Sequence, residues 1–510
     1  MRTMANIVVC LGVFLLSLIT RLVLIWPHRH RGCDAYYFLL SSEQFRKDRK
    51  IPIVLPPVYV LEEQEQWYPP GFSVLLSLLP KKFVEQYYWT ISPLLDSLLA
   101  MLVYLLVYIA SGDTIKGLTA GALAGAMYAF NGASLPDTTS LNSRPLGALL
   151  LTLTMLFLIY PMTGAGLAIT ISGFLMFGFL LLMSHKLSPQ LLYFLLLVML
   201  VASGSPHYAI ALGLLLIVSI ILSRGFILKV WRGQYDILSF WSRNWKLLGA
   251  HSIYGSPVYP ALRYKDTRRL HIGGLRGLVK GSLYLGMNTF VLPLIFVFPQ
   301  FSHLSQFDQR IILWVAGTYL LAVLTQLVPF LKFLGEGHRY LKLAAVPVCY
   351  LAVLPIAQQW SYQGVVEVLY YTSLVISFII ALLIVLRLFG FMSDRSGSTI
   401  PFLDTGLRRV TEYLKEADTT NVLCIPDSLG DAIGYYSRKR ILRGTHNVPF
   451  KWVIPFFPVY QRPLEQLVKE YAVSHIVVYS VYVKYDELGI DSFADKVLED
   501  GEYRVYRSRI

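Results

Sequence analysis

The chain has 510 residues, 55% of them hydrophobic and 14% aromatic, with a mean hydropathy of +0.54. Soluble globular proteins average roughly 45–50% apolar residues, so this composition excludes a wholly soluble globular protein and reads as a polytopic α-helical membrane protein. Lys and Arg outnumber Asp and Glu by 45 to 31, an excess that in a membrane protein points to lipid headgroups and cation-biased loops, with no nucleic acid among the partners. Cys10, Cys33, Cys349 and Cys424 stand singly, without the spacing of a disulfide framework or a zinc site.

The first span is predicted from Ala5 to Trp26, long enough at ~20 residues to cross the hydrocarbon and without a small-residue cleavage site. Arg21, near its outer end, either snorkels to the interface or faces the site built by the next loop. From Trp26 to Leu79 comes a polar stretch of about fifty residues where a simple turn would need a few. It carries His28, Arg29, His30 and Arg31, then Gly32, Cys33 and the lone carboxylate Asp34. An amphipathic helix is expected from Ala35 to about Lys47, with Glu43 facing away from the membrane. Glu62, Glu63 and Glu65 read as a solvated run.

Further apolar runs at 87–110, 117–134, 143–160, 164–183, 189–203, 206–223, 283–299, 310–334, 341–357 and 365–390 give about eleven spans. Asp96 lies well inside the second, where a carboxylate must be protonated, paired or facing water, and it serves either a helix-to-helix bond or function. Gly117, Gly121 and Gly125 form a small-residue ridge for close helix packing. The polar loop at 131–142 holds Asp137 and leads into Arg144, which either anchors the helix end or meets Asp34 together with Asp137. The segment 224–282 carries eleven Lys or Arg against Asp236 and Asp266, with Trp231, Trp241 and Trp245 among them, as in helices lying in the interface plane. Its charge favours the cytoplasm, whereas the span count puts it outside with the acidic loops. Between the last two long spans and those before them runs Lys332 to Lys342, with Glu336, His338 and Arg339.

From about Ile400 the pattern changes to helix (405–417), strand (421–425), helix (429–437), strand (440–443), helix (463–471), strand (475–480), then a helix and a strand at 503–507. Such alternation predicts a small soluble α/β domain over 394–510, following a membrane domain over 1–393 with outer loops 27–86, 131–142 and 224–282. It contains no GxGxxG and no P-loop.

Asp34-Ala-Tyr36-Tyr37 after a first span, then Trp67-Tyr68-Pro69-Pro70-Gly71 opening an apolar helix, resembles the integral membrane glycosyltransferases that use polyprenyl-phosphate sugars. That superfamily includes protein O-mannosyltransferases, aminoarabinose transferases and the catalytic subunit of oligosaccharyltransferase. Ser143-Arg144-Pro145-Leu146-Gly147, His338-Arg339-Tyr340 and the terminal α/β domain are similar in placement. The chain departs from the oligosaccharyltransferase pattern in lacking a Trp-Trp-Asp-type acceptor motif and in offering Asp137 alone in the second loop, which argues against protein N-glycosylation and an obligatory metal. The resemblance fixes no cofactor and admits a divalent metal.

Sugar transfer from a lipid phosphate needs a base for the acceptor hydroxyl and cations for the departing phosphate. Asp34 is the expected base; Arg339, His338, Arg144 and Arg31 are the expected phosphate ligands; Tyr36, Tyr37, Tyr68, Asp137 and Asp96 are expected near the substrates. The resulting expectation is an inverting transferase of the plasma (inner) membrane. It moves a hexosyl or pentosyl group from a polyprenyl-phosphate-linked sugar to a hydroxyl of an acceptor glycan, lipid or protein, among membrane lipids at the outer face. The alternatives are a secondary transporter or lipid flippase, which would need ionisable groups near the bilayer midplane, or a non-enzymatic membrane scaffold.

Overall fold

The computed structural model describes residues 2–30, 33–51, 58–61, 68–112, 115–160, 165–248, 250–260, 262, 286–360, 362–393, 403–446 and 450–510. Arg31, Glu62, Glu63, Glu65, Trp67, much of the basic segment after residue 262 and the linker at 394–402 lie outside them.

Among the described residues six helices are long and apolar enough to cross a membrane: Thr3–Ile25, Lys81–Ala110, Gly166–Ser184, Gln306–Leu327, His338–Ala357 and Val365–Gly390. A seventh crossing results if His207–Leu222 and Phe226–Leu247, bent by 117°, count as one, and Arg144–Ile159 and Leu187–Ser203 are shorter apolar helices. This is a multi-pass membrane fold. Its outer helices show bare apolar faces: Ile7, Leu11, Leu15 and Ile19 follow one stripe of the first helix and are exposed, as lipid contact requires. Helix His338–Ala357 is the opposite case, with nearly every residue of Leu343–Ala357 buried, and forms the axis of the bundle. The glycine ridge brings helix Ile115–Ala129 against its neighbours; a Cβ on Gly125 would lie 2.3 Å from Val13, and one on Gly121 2.9 Å from the Tyr104 ring.

Two expected spans differ. Over the described part of 283–299 the chain forms two 3₁₀ pieces, Thr289–Phe296 and Phe298–His303, each holding a proline that cannot donate to a continuous helical ladder. The span expected at 310–334 ends as an α-helix at Leu327, and Pro329 opens a further 3₁₀ turn.

The C-terminal domain is a five-stranded mixed sheet of β1 (Asn421–Ile425), β2 (Arg440–Ile441), β3 (Val473–Tyr479), β4 (Ala494–Asp500) and β5 (Tyr503–Ser508), in the order β2-β1-β3-β5-β4. The first three strands are parallel, joined through helices Gly430–Ser437 and Leu464–Glu470, and β5 and β4 run antiparallel. Strand β4 occupies ground expected to be helical; past the buried Ala494 it is exposed or half-buried throughout, as befits a solvated edge strand.

This domain is bound to the loops of the membrane part. Residues 58–60 of the first long loop lie along β2, with Ile441 N–H donating to Val58 O (2.7 Å) and Val60 N–H to Ile441 O (2.9 Å). Glu43, expected to face away from the membrane, pairs with Arg438 of this domain at 2.6 Å. The described part of the basic segment lies against the domain too: Phe240 stacks on Phe450 at 4.5 Å, and His251 on Tyr482 at 3.9 Å. The first loop, the basic segment and the C-terminal domain therefore share one end of the bundle.

Candidate active site

Asp34 sits in the first turn of helix Cys33–Asp48, where the helix dipole favours a carboxylate. Arg144 begins helix Arg144–Ile159, ahead of Pro145, a residue suited to a first turn. Asn142 fixes the approach: its Oδ1 accepts from Arg144 N–H (2.9 Å), and its Nδ2 donates to the carbonyls of Asp137 (2.7 Å) and Ser140 (2.9 Å). Arg144 then holds two acids, Asp137 Oδ1 at 2.7 Å from Nη1 and Asp34 Oδ2 at 3.8 Å from Nη2. The second oxygen of Asp137 is taken by Lys342, buried at the start of the axial helix. Burial pushes the Asp137 carboxyl up, but Lys342 and Arg144 outweigh it and hold it well below the usual carboxylate range. Asp137 is locked on both oxygens, while the Asp34 side chain keeps 26% of its surface exposed.

The Tyr-Pro-Pro-Gly stretch brings a further cation. A Cβ on Gly71 would lie 2.7 Å from the Met183 carbonyl, so only glycine permits this approach to the end of helix Ala165–Ser184. The turn beyond that end carries His185 and Lys186, and Lys186 Nζ lies 5.8 Å from the Tyr68 ring centre. Tyr68 also shares a 3.2 Å hydrogen bond with Ser143. Burial, joined by the field of Arg339, pulls the Lys186 ammonium down to about 8. His185, packed under Gly147, is kept neutral by burial and by Lys342.

The C-terminal domain supplies the last group. His446 lies flat on Tyr37 (4.4 Å, 9°) and edge-on to Tyr68 (4.6 Å), with Nδ1 at 3.9 Å from Asp34 Oδ1. Burial lowers its pKa to about 4 against the pull of Asp34, so the ring is neutral at physiological pH.

The structure thus brings together Asp34, Asp137, Arg144 and Tyr68 from the expected set and adds Lys186, Lys342 and His446. Arg339 and His338 stand beside them, with Arg339 engaging Glu336 through Nε (2.8 Å) and Nη2 (2.7 Å), and His338 3.9 Å from the same oxygen. Tyr36 and Tyr37 present no open face: Tyr36 packs on Tyr435 and Tyr436, and Tyr37 lies under His446. Asp96 is elsewhere, inside the bundle. It accepts from Arg21 Nε at 2.5 Å and from the Tyr128 hydroxyl at 3.1 Å, while Arg21 also donates to Ser17 O, Ala129 O and Ser134 Oγ. Arg21 is fully buried rather than reaching an interface, because Asp96 satisfies it within the bundle. Arg31 falls outside the described residues.

The residues missed by sequence reasoning left unequal traces. Ser184-His185-Lys186 is a polar break between two apolar runs, and Lys342 ends the run that begins at Lys332. Nothing local marks His446. Among the described residues no three of His, Cys, Asp and Glu gather as ligands for a metal ion, and Asp137 is committed to Arg144 and Lys342.

Among the described residues, the cations Arg144, Lys186, Arg339 and Lys342 thus gather with the carboxylates Asp34, Asp137 and Glu336 at the loop end of the bundle. No family model matches the sequence, and no curated protein does. Solved structures do. The oligosaccharyltransferase of Archaeoglobus fulgidus, in its apo form, aligns with a TM-score of 0.58 at 13% identity over 95% of this chain and 71% of its own. ArnT of Cupriavidus metallidurans, in the apo state, aligns with a TM-score of 0.57 at 12% identity over 97% of each chain. The chain shares the fold of these two structures. The same ArnT bound to undecaprenyl phosphate aligns at 0.56 over 98% of this chain and 97% of its own, at 12% identity. The archaeal enzyme has further structures with dolichol-phosphate and an inhibitory peptide, and with Zn and sulfate.

Proposed function

We propose that the protein transfers a hexosyl or pentosyl group from a polyprenyl-phosphate sugar to the hydroxyl of a glycan, lipid or protein acceptor, inverting the anomeric carbon, with Asp34 as base. The observation that carries this reading is the contrast at Arg144: Asp137 is held by Arg144 at 2.7 Å and by Lys342, whereas Asp34 stands 3.8 Å from Arg144 and its side chain stays 26% exposed. As the acceptor oxygen attacks, its proton passes to Asp34 and the bond from the anomeric carbon to the phosphate oxygen breaks. The lipid phosphate leaves with one more negative charge than it had in the donor. Cations beside it therefore act more strongly on the transition state than on the bound donor, which is the condition for raising kcat. Lys186 and Arg144 stand near Asp34 for this purpose, with Arg339 and His338 at the headgroup level. Arg339 would exchange Glu336 for two phosphate oxygens, a geometry that a guanidinium matches and an ammonium does not.

The site then lies at the outer face of a plasma (inner) membrane, with a cytoplasmic N-terminus, about eleven crossings, and the loops 27–86, 131–142 and 224–282 outside together with the domain at 394–510. Binding of a lipid-linked phosphate gives an outer basic segment its reason, and contact of that segment with the C-terminal domain supports a shared side. Transfer by Asp34→Asn tests the assignment. The variant keeps the shape and removes the proton acceptor, so turnover should fall by ~10²-fold or more with donor binding retained. Near-normal transfer by the folded variant would remove Asp34 from the chemistry.

A further inference from the structure

The turn that presents Arg339 also carries an acid against it. Gly335-Glu336-Gly337 joins the 3₁₀ turn Pro329–Leu334 to helix His338–Ala357. Its backbone is pinned: Gly335 adopts φ +134°, a region that favours glycine, a Cβ on Gly337 would lie 2.1 Å from the Ala322 carbonyl, and the Tyr340 hydroxyl donates to Leu334 O at 2.7 Å. Displacing Glu336 from Arg339 is therefore a turn of its side chain, which leaves the charge nearby. Glu336 Oε2 accepts from Arg339 Nε at 2.8 Å and stands 2.7 Å from Nη2, with His338 Nε2 at 3.9 Å. Burial pushes the Glu336 carboxyl up, but Arg339, His338 and Arg144 outweigh it and hold it below its ordinary value, so the group is charged. The two side chains of the pair are 46% and 30% exposed, so they part without stranding a buried charge.

A polyprenyl-phosphate sugar is a phosphodiester with one negative charge, whereas the polyprenyl phosphate left after transfer is a monoester with about −1.5 to −2 at pH 7. Cations that favour the leaving phosphate also hold this product, so what speeds transfer slows release. We infer that Glu336 is a positioning residue that acts through Arg339 to release the product: an internal carboxylate that takes the guanidinium back from polyprenyl phosphate and sets the affinity for donor relative to product. The inference rests on the reading of Arg339 as a ligand of the donor phosphate. Competition for Arg339 weakens donor and product alike. Repulsion by the displaced carboxylate scales with the charge of the bound phosphate, so it weakens the product more.

The full-length chain in liposomes tests this with a panel of undecaprenyl-phosphate-linked hexoses and pentoses. The one that the wild type consumes gives KM for the donor, and undecaprenyl phosphate alone gives the product Kd by direct binding. Glu336→Gln keeps the shape and removes the charge; undecaprenyl phosphate should then bind about 10-fold more tightly, and KM for the donor should fall by less. Arg339→Ala should weaken undecaprenyl phosphate binding, and adding it to Glu336→Gln should reduce the tightening, because the two residues act on one contact. An unchanged product Kd in Glu336→Gln, an equal gain for donor and product, or a tightening that survives undiminished in the double variant overturns the role of Glu336. Undecaprenyl phosphate binding unaffected by Arg339→Ala overturns instead the reading of Arg339 as a phosphate ligand.

Discussion

Two carboxylate–arginine groups, built from the same chemistry, have opposite settings in this protein. Arg21 and Asp96 meet inside the bundle, with side chains 0% and 4% exposed, and every partner they use comes from the surrounding helices and the turn at Ser134. Arg144 and Asp34 meet where the loops gather, 32% and 26% exposed, among further cations and acids. The first group is closed within the bundle; the second is partly exposed at its loop end. A buried charge that its own fold satisfies need not mark function.

The sharpest way to break this comparison is to break the closed pair. Removing one partner of a buried ion pair strands the other, so Asp96→Leu or Arg21→Met should cost about 3–5 kcal/mol of stability, whereas the double variant should recover much of it. Thermal unfolding in detergent measures both, and the double variant should keep its turnover per folded molecule. At the open site Asp34→Asn should show the reverse, an unchanged melting temperature with transfer reduced by ~10²-fold or more. The two readouts together separate a structural carboxylate from a catalytic one.

Lys186 sharpens the comparison through pH. Its ammonium is held near 8, so it is charged below that value and loses its proton as pH rises through it. Affinity for undecaprenyl phosphate should therefore weaken from about pH 7 to about pH 9, by up to ~10-fold for the loss of one charged contact. Lys186→Arg, charged throughout, should flatten the profile. Asp137 gives the acid side of the same comparison. Its folded pKa is depressed, so its stabilising contribution is present above the unfolded carboxylate value of about 4 and is lost as pH falls below it. Asp137→Asn should remove that part of the acid dependence of melting.

The reasons why some of this was legible in the sequence, and some not, are physical. Apolar runs and alternating strands announce themselves because hydrophobic burial repeats along the chain, and the spans around Asp96 and the strands β1 and β3 fall close to where periodicity predicts them. Asp34, Asp137 and Arg144 were recognisable as polar groups at span ends facing one compartment. The pairing of Arg21 with Asp96, 75 residues apart, was not read, although two single charges in two adjacent spans pose the same problem and solve it together. His446 was out of reach for another reason: its place depends on docking between the C-terminal domain and residues 58–60, a contact that no local pattern encodes. Prolines at 293, 299 and 329 were visible but weighed too little against the hydropathy around them.

The most direct test of the central claim is a structure of the full chain in a lipid nanodisc with undecaprenyl phosphate bound. The account predicts the phosphate at the loop end of the bundle, within reach of Lys186, Arg144 and Arg339, with Asp34 facing the position where the anomeric carbon would sit. A phosphate seated elsewhere, away from Arg144 and Lys186, would contradict it.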